Sequence, residues 1–96
     1  MLVNKEIVKQ YSSEIYKKAF LGYMNDHIWL ERGVEAGVLD TGKVHKAIGG
    51  AKMLGLMNLS TLLEYLESEL NLENLELVQQ AYSDTKKALI DGGVIE

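Results

Sequence analysis

Residues 44–55 read Val-His-Lys-Ala-Ile-Gly-Gly-Ala-Lys-Met-Leu-Gly. Apolar residues recur in this stretch at steps of three and four, the spacing that keeps side chains on one face of an α-helix. They are Val44, Ala47, Ile48, Ala51 and Leu54. On the same helical wheel His45, Gly49 and Lys52 share the outward face, and Gly55 interrupts the pattern. The stretch therefore predicts an amphipathic helix that exposes a histidine beside a glycine.

The helical period continues on both sides of this stretch. Upstream, a seam with alternating four- and three-residue steps precedes a helix end at residues 37–40; it consists of Tyr16, Phe20, Tyr23, His27, Leu30 and Val34. Downstream, one apolar stripe contains Leu59, Leu62, Leu63, Leu66 and Leu70. The next contains Leu72, Leu75, Val78, Tyr82, Thr85 and Leu89, before a glycine pair at residues 92–93. Residues 4–11 suit a short leading helix.

Polar residues stand where these helices should begin. Side-chain oxygens of Ser, Thr, Asp and Asn accept the first backbone N–H groups of a helix. The candidate caps are Ser12 or Ser13, Asp40 or Thr41, Asn58, and Asn71. Short connectors favour antiparallel neighbours. The sequence therefore predicts one all-α domain over residues 1–96, an antiparallel up-down four-helix bundle with or without a short extra helix at the N-terminus.

Composition limits the function classes. The 96 residues are 47% apolar and have a net charge of −4, so no basic surface is available for nucleic acid. There is no cysteine, which excludes disulfides and thiolate metal sites and suits a reducing cytosol. Apolar runs are too short to cross a membrane, and residues 1–5 lack the pattern of a signal peptide. His27 lies on the helical seam and is interpreted as structural; no metal-ligand spacing surrounds either histidine.

The stretch around His45 resembles the signature of the histidine-phosphotransfer (HPt) family. That signature has a histidine, a glycine four positions later, small residues at the next two positions, and Leu-Gly at nine and ten. Here these are His45, Gly49, Gly50, Ala51, Leu54 and Gly55. The family continues with a leucine-rich helix that ends in Leu-Glu, matched by Leu59, Leu62, Leu63, Leu66 and Glu67. With Phe20 in the preceding helix, the resemblance spans roughly residues 20–67.

The resemblance implies a cytoplasmic phosphorelay intermediate of two-component signalling, in which His45 accepts and passes on a phosphoryl group. Its partners would be receiver domains of response regulators or a hybrid histidine kinase. Such a chain is a carrier rather than an independent enzyme. It holds no cofactor of its own, Mg²⁺ being expected on the receiver. A monomer is the default state for the family.

Individual residues receive roles from the same resemblance. Gly49 gives a partner close access to the imidazole. The family usually has a lysine three residues after the histidine, where this chain has Ile48. Lys46 and Lys52 are therefore the candidate electrostatic helpers. An apolar docking patch is expected from Ile48, Met53, Leu56 and Met57. Glu67 is interpreted as structural.

Other interpretations remain open at this point. The chain can be a phosphorylation-incompetent bundle that regulates a receiver or kinase by binding alone, with Ile48 as the reason. It can also be a generic helical interaction module in which His45 is an ordinary surface histidine.

Overall fold

The computed structural model describes residues 2–32 and 40–95. Within these ranges the chain forms α-helices and no strand. The helices are α1 (Lys5–Lys9), α2 (Ser13–Asp26), α3 (Trp29–Arg32), α4 (Thr41–Met53), α5 (Met57–Ser68) and α6 (Leu72–Asp91). The all-α prediction is confirmed for this part of the chain, where no helix is both long and apolar enough to span a membrane. Val34 and the predicted helix end at residues 37–39 lie outside the described residues.

Side-chain caps begin four of the helices. Asn4, Ser12, Asp40 and Asn71 each accept a backbone N–H of the following first turn. The Asp40 cap is short, with 2.8 Å between its Oδ1 and the Lys43 nitrogen. Ser12, Asp40 and Asn71 agree with the sequence prediction because a cap depends on residues only two or three positions away, and Asn4 is a cap that the sequence analysis did not name.

The start of α5 differs from the prediction that Asn58 caps it. The helix begins two residues earlier than this cap implies, at Met57, and its N-cap is Leu56, which offers no side-chain oxygen. Gly55 adopts a φ of +73°, and the Leu56 N–H donates to the Ala51 oxygen at 2.8 Å. This tight glycine turn directs Leu56 into the core and leaves Asn58 inside the first turn of α5.

The predicted long helix over the seam is interrupted. His27 ends α2 with a non-helical backbone (φ −127°, ψ 50°), and α3 begins two residues later. The break directs the chain toward α6, where Glu31 accepts a hydrogen bond from Lys86 at 2.8 Å. Leu30 nevertheless stays in the core, so the apolar seam continues across a break in the backbone.

One core joins the helices. α4 packs on α5, α5 on α6, and α3 on α6. Two tyrosine hydroxyls attach α2 to α4: Tyr16 donates to the Leu54 oxygen at 2.6 Å and Tyr23 to the Ala47 oxygen at 2.7 Å. Burial raises the pKa of Tyr16 to about 12, with a smaller contribution from Tyr11. Both hydroxyls therefore stay protonated as donors across the physiological pH range.

The predicted apolar stripes are buried with few exceptions. The stripe of α4 is entirely in the core, as are most positions of the other two stripes. Leu70 and Leu72 are exposed instead, Leu72 to 73%. Leu72 is the first residue of α6 and follows the connection from α5, so it lies beyond the end of the packed core. Its prediction as an inner-face residue is wrong.

Candidate functional site

His45 lies in the second turn of α4 with its side chain 78% exposed. Its Nδ1 is 2.9 Å from Oε2 of Glu67, near the end of α5. An ionised carboxylate can only accept a hydrogen bond, so the Nδ1 atom carries the shared proton. In that tautomer the lone pair is on Nε2. The contact thus orients the ring, and Nδ1 is the nitrogen that it occupies.

Glu67, which the sequence analysis interprets as structural, is the residue that contacts His45. The antiparallel packing of α4 and α5 brings it to His45. A signal for this pairing was present: His45 lies eleven residues before Leu56 and Glu67 eleven residues after it. Two helices of similar length that fold back at residues 55–56 place such equidistant positions side by side.

The two adjacent glycines of α4, Gly49 and Gly50, have different surroundings. A Cβ atom built on Gly50 would lie 2.6 Å from the ring of Tyr23, which is well inside van der Waals contact. Gly50 is therefore needed for α2 to pack closely on α4. Among residues 2–32 and 40–95, a Cβ on Gly49 would meet nothing within 4 Å. The fold itself does not require glycine at position 49, although glycine inside a helix costs about 0.5–1 kcal/mol relative to alanine.

The two lysines proposed as helpers interact with residues other than His45. The Lys52 Nζ is 3.6 Å from Oε2 of Glu64 on α5. The pKa of His27 is lowered, first by its burial and to a lesser extent by the charge of Lys46, while Asp26 opposes the shift. Lys46 therefore acts electrostatically on His27. Neither lysine has a described hydrogen bond or ion pair with His45.

Two of the four residues predicted to form the docking patch are exposed. Met53 and Met57 are 69% and 40% exposed, and both are available to a partner. Ile48 and Leu56 are buried in the core, so their prediction as docking residues is wrong. Ile48 lies at the edge of the buried stripe of α4, and packing against neighbouring helices covers it. Leu56 is turned inward by the Gly55 turn.

Helix α2 extends the exposed face of α4. Phe20 stacks on Tyr82 of α6 at 6.5 Å while Tyr23 faces α4. The residues that precede Tyr16, Phe20 and Tyr23 by one position therefore lie on the α4 side of α2. They are Ile15, Ala19 and Gly22, all exposed. Gly22, like Gly49, has nothing within 4 Å of a built Cβ.

His27 has a structural environment. It caps α2, and its ring centroid is 4.7 Å from that of Tyr23. Among the residues that the structure describes, no group of three or more histidine, cysteine or acidic side chains is placed to hold a metal ion. The candidate site is therefore the exposed His45–Glu67 pair with Gly49 one turn away.

No family model, curated protein or solved structure matches the chain. The chemistry of the site therefore rests on its own residues. It presents an imidazole with one nitrogen held by a carboxylate and the other nitrogen nucleophilic, on an open helical surface.

Proposed function

We propose that the chain is a histidine-phosphotransfer protein in which His45 carries a phosphoryl group on Nε2. The observation that supports this most is the 2.9 Å contact between His45 Nδ1 and Glu67 on an otherwise exposed side chain. The contact gives the imidazole the tautomer that a phosphoryl acceptor needs. The resemblance of residues 20–67 to the HPt signature supports the same function.

The transfer step uses Nε2 as the nucleophile. Its lone pair attacks the phosphorus of an aspartyl phosphate on a receiver domain, a P–N bond forms, and the P–O bond to the aspartate breaks. The aspartate leaves as a carboxylate. The phosphorylated imidazole keeps its proton on Nδ1 and becomes cationic, and Glu67 offsets that charge at hydrogen-bond distance. The return transfer reverses each step.

Access to Nε2 is the role that the proposal gives to Gly49. In-line phosphoryl transfer requires the two reacting atoms to approach closely, so a flat surface next to the nucleophile favours the reaction. A glycine that the fold does not require is consistent with this demand. Met53, Met57 and Ile15 are exposed apolar residues of α4, α5 and α2 that would pack against the apolar surface of a receiver.

Charge supports a receiver as the partner. α4 contains Lys43, Lys46 and Lys52 and no acidic residue, whereas the whole chain has a net charge of −4. The resemblance implies that the partner site is an acidic pocket that holds Mg²⁺. A basic helix around the acceptor would guide such a pocket to His45.

The finer points of architecture and context belong to the same proposal. α2, α4, α5 and α6 would form the antiparallel up-down four-helix bundle, preceded by α1. The protein would act in the cytoplasm as a monomer and a carrier without its own kinase or hydrolase site. Magnesium and most catalytic groups would come from the receiver or the kinase.

The second candidate is a bundle that binds a receiver or kinase but does not become phosphorylated. The observation that favours it is the loss of two expected cations. Ile48 is buried where the family usually has a lysine, and Lys52 is paired with Glu64. A phosphoryl group on His45 would then have less charge to steady it.

Transfer of labelled phosphate from phosphorylated receiver domains of the same organism separates the two candidates. The carrier proposal predicts acid-labile, alkali-stable label on the wild type and on His27→Gln, and none on His45→Gln. The His45→Gln variant should keep its fold because the side chain is exposed. Receiver binding without label on the wild type would instead establish the binding-only function. Absence of both binding and label would reject both candidates.

A further inference from the structure

Exposed apolar side chains are concentrated where α5 meets α6. Four large apolar residues within 13 positions are exposed there: Tyr65, Leu70, Leu72 and Leu77. Tyr65 and Leu72 are the most exposed, at 60% and 73%. Single exposed apolar residues are ordinary, but a contiguous group with polar surroundings is typical of an interaction surface.

The packing places these side chains on a common surface. The Asn74 side chain donates to the Glu69 oxygen at 3.0 Å, and its backbone N–H donates to Asn71 at 2.7 Å, which fixes the turn between the helices. On α5, Tyr65 points away from the side where Glu64 and Glu67 contact α4.

Leu77 lies on the side of α6 that faces α5. Tyr82 and Lys86 contact Glu31 of α3, so the opposite edge of α6, with Leu77 and Ala81, is the α5 side. Leu70 lies in the connection between the two helices and Leu72 is the first residue of α6, and both are exposed. The four apolar residues, together with the exposed Glu69 and Glu73, are called the α5–α6 patch below.

The charge around the α5–α6 patch has one sign. Residues 57–85 contain six acidic side chains and no lysine or arginine. The rest of the chain contains eight acidic and ten basic residues, so the negative charge of the protein is concentrated on α5 and most of α6. A ligand for this surface has to combine apolar contact area with positive charge.

We propose that the α5–α6 patch docks an amphipathic helix with a basic polar face from another protein. Exposed leucines and a tyrosine along a helix pair suit the apolar face of such a helix, and Glu69 and Glu73 would pair with its lysines or arginines. A second copy of the chain would bring two acidic patches together, and an anionic membrane would also be repelled. The surface excludes His45 and Gly49, so this partner is independent of the proposed phosphoryl transfer.

Two helical peptides of the same length test the charge requirement. Both present leucines on one face, and the other face is lysine in the first and glutamate in the second. The full chain, labelled with ¹⁵N, is titrated with each peptide, and affinity is measured by calorimetry. The leucine–lysine peptide should shift the amide signals of residues 65–77 and bind more weakly as salt rises. The leucine–glutamate peptide should bind at least roughly tenfold more weakly.

Substitutions test the location. Tyr65→Ser with Leu72→Ser should weaken the leucine–lysine peptide by roughly tenfold or more, because exposed anchors of this size carry much of an interface. The matched control Leu21→Ser removes an exposed apolar residue from α2 and should leave the affinity unchanged. Circular dichroism checks that all variants keep their helix content.

Three outcomes would overturn the proposal. They are equal affinity for the two peptides, full affinity of the double variant, and amide shifts confined to α2 and α4. Failure here would leave the His45 proposal untouched, because the label-transfer experiment does not involve the α5–α6 patch.

Discussion

Replacing each glycine of the α4 pair with alanine, one at a time, tests how the site is built. The two positions are adjacent, and both substitutions add one methyl group. In a helix interior alanine is favoured over glycine by about 0.5–1 kcal/mol. Gly49→Ala should gain this amount in full, since its new Cβ meets nothing within 4 Å. For a chain of this size the gain corresponds to a rise in Tm of roughly 2–8 °C.

Gly50→Ala gains the same helix propensity but adds a clash. Its Cβ would lie 2.6 Å from two ring carbons of Tyr23. That ring cannot move aside easily, because it is 6% exposed and its hydroxyl donates to the Ala47 oxygen at 2.7 Å. Overpacking of this kind costs about 1–3 kcal/mol. After subtracting the propensity gain, Gly50→Ala should lower the free energy of unfolding by up to about 2 kcal/mol.

Urea denaturation followed by circular dichroism measures both variants against the wild type. The expected order of stability is Gly49→Ala above the wild type and the wild type above Gly50→Ala. The argument is refuted if both substitutions stabilise the chain equally, since Gly50 would then have no packing role. It is also refuted if Gly49→Ala destabilises, since the fold would then require that glycine.

The remaining predictions concern the histidines. Gly49→Leu should block phosphoryl transfer by covering the approach to His45 while the helix content stays constant; unimpaired transfer in the label assay would contradict the access argument. Glu67→Ala should slow transfer more than Glu67→Gln, because an amide oxygen can still accept a hydrogen bond from the Nδ1–H group; equal rates in the two variants would remove the orienting role. Burial lowers the pKa of His27 below its usual 6.5, so the unfolded chain takes up that proton first as pH falls. Tm is measured one pH unit above and one pH unit below 6.5, and it should fall further in the wild type than in His27→Gln. Equal falls in Tm would show that His27 does not control this acid sensitivity.

Helix positions and most caps follow from short-range chemistry. The stripe of α4 is buried as the period of Val44 to Leu54 predicts, because the periodicity of apolar residues reports which side chains leave water. It does not report whether the backbone is continuous. The seam passes through His27 unchanged, yet the helix breaks there, since Leu30 can reach the same core from a separate short helix.

The site was predictable in part for a related reason. A helical wheel places His45, Gly49 and Lys52 outward correctly, because their exposure depends on α4 alone. The burial of Ile48 agrees with the apolar stripe of α4, so the wheel itself argued against its place in the docking patch. The burial of Leu56 depends on the Gly55 turn, which a wheel cannot represent. The contact with Glu67 depends on how α4 and α5 lie side by side, and its only signal in the sequence is the equal spacing of the two residues from Leu56.

The nitrogen that carries the phosphoryl group is the most direct test of the account. The chain is labelled with ¹⁵N in its two histidines, and long-range proton–nitrogen spectra are recorded before and after exposure to phosphorylated receiver domains. The account predicts that His45 begins with its proton on Nδ1, that the phosphoryl group then appears on Nε2, and that His27 is unchanged. A phosphoryl group on Nδ1 of His45 or on His27 would contradict it.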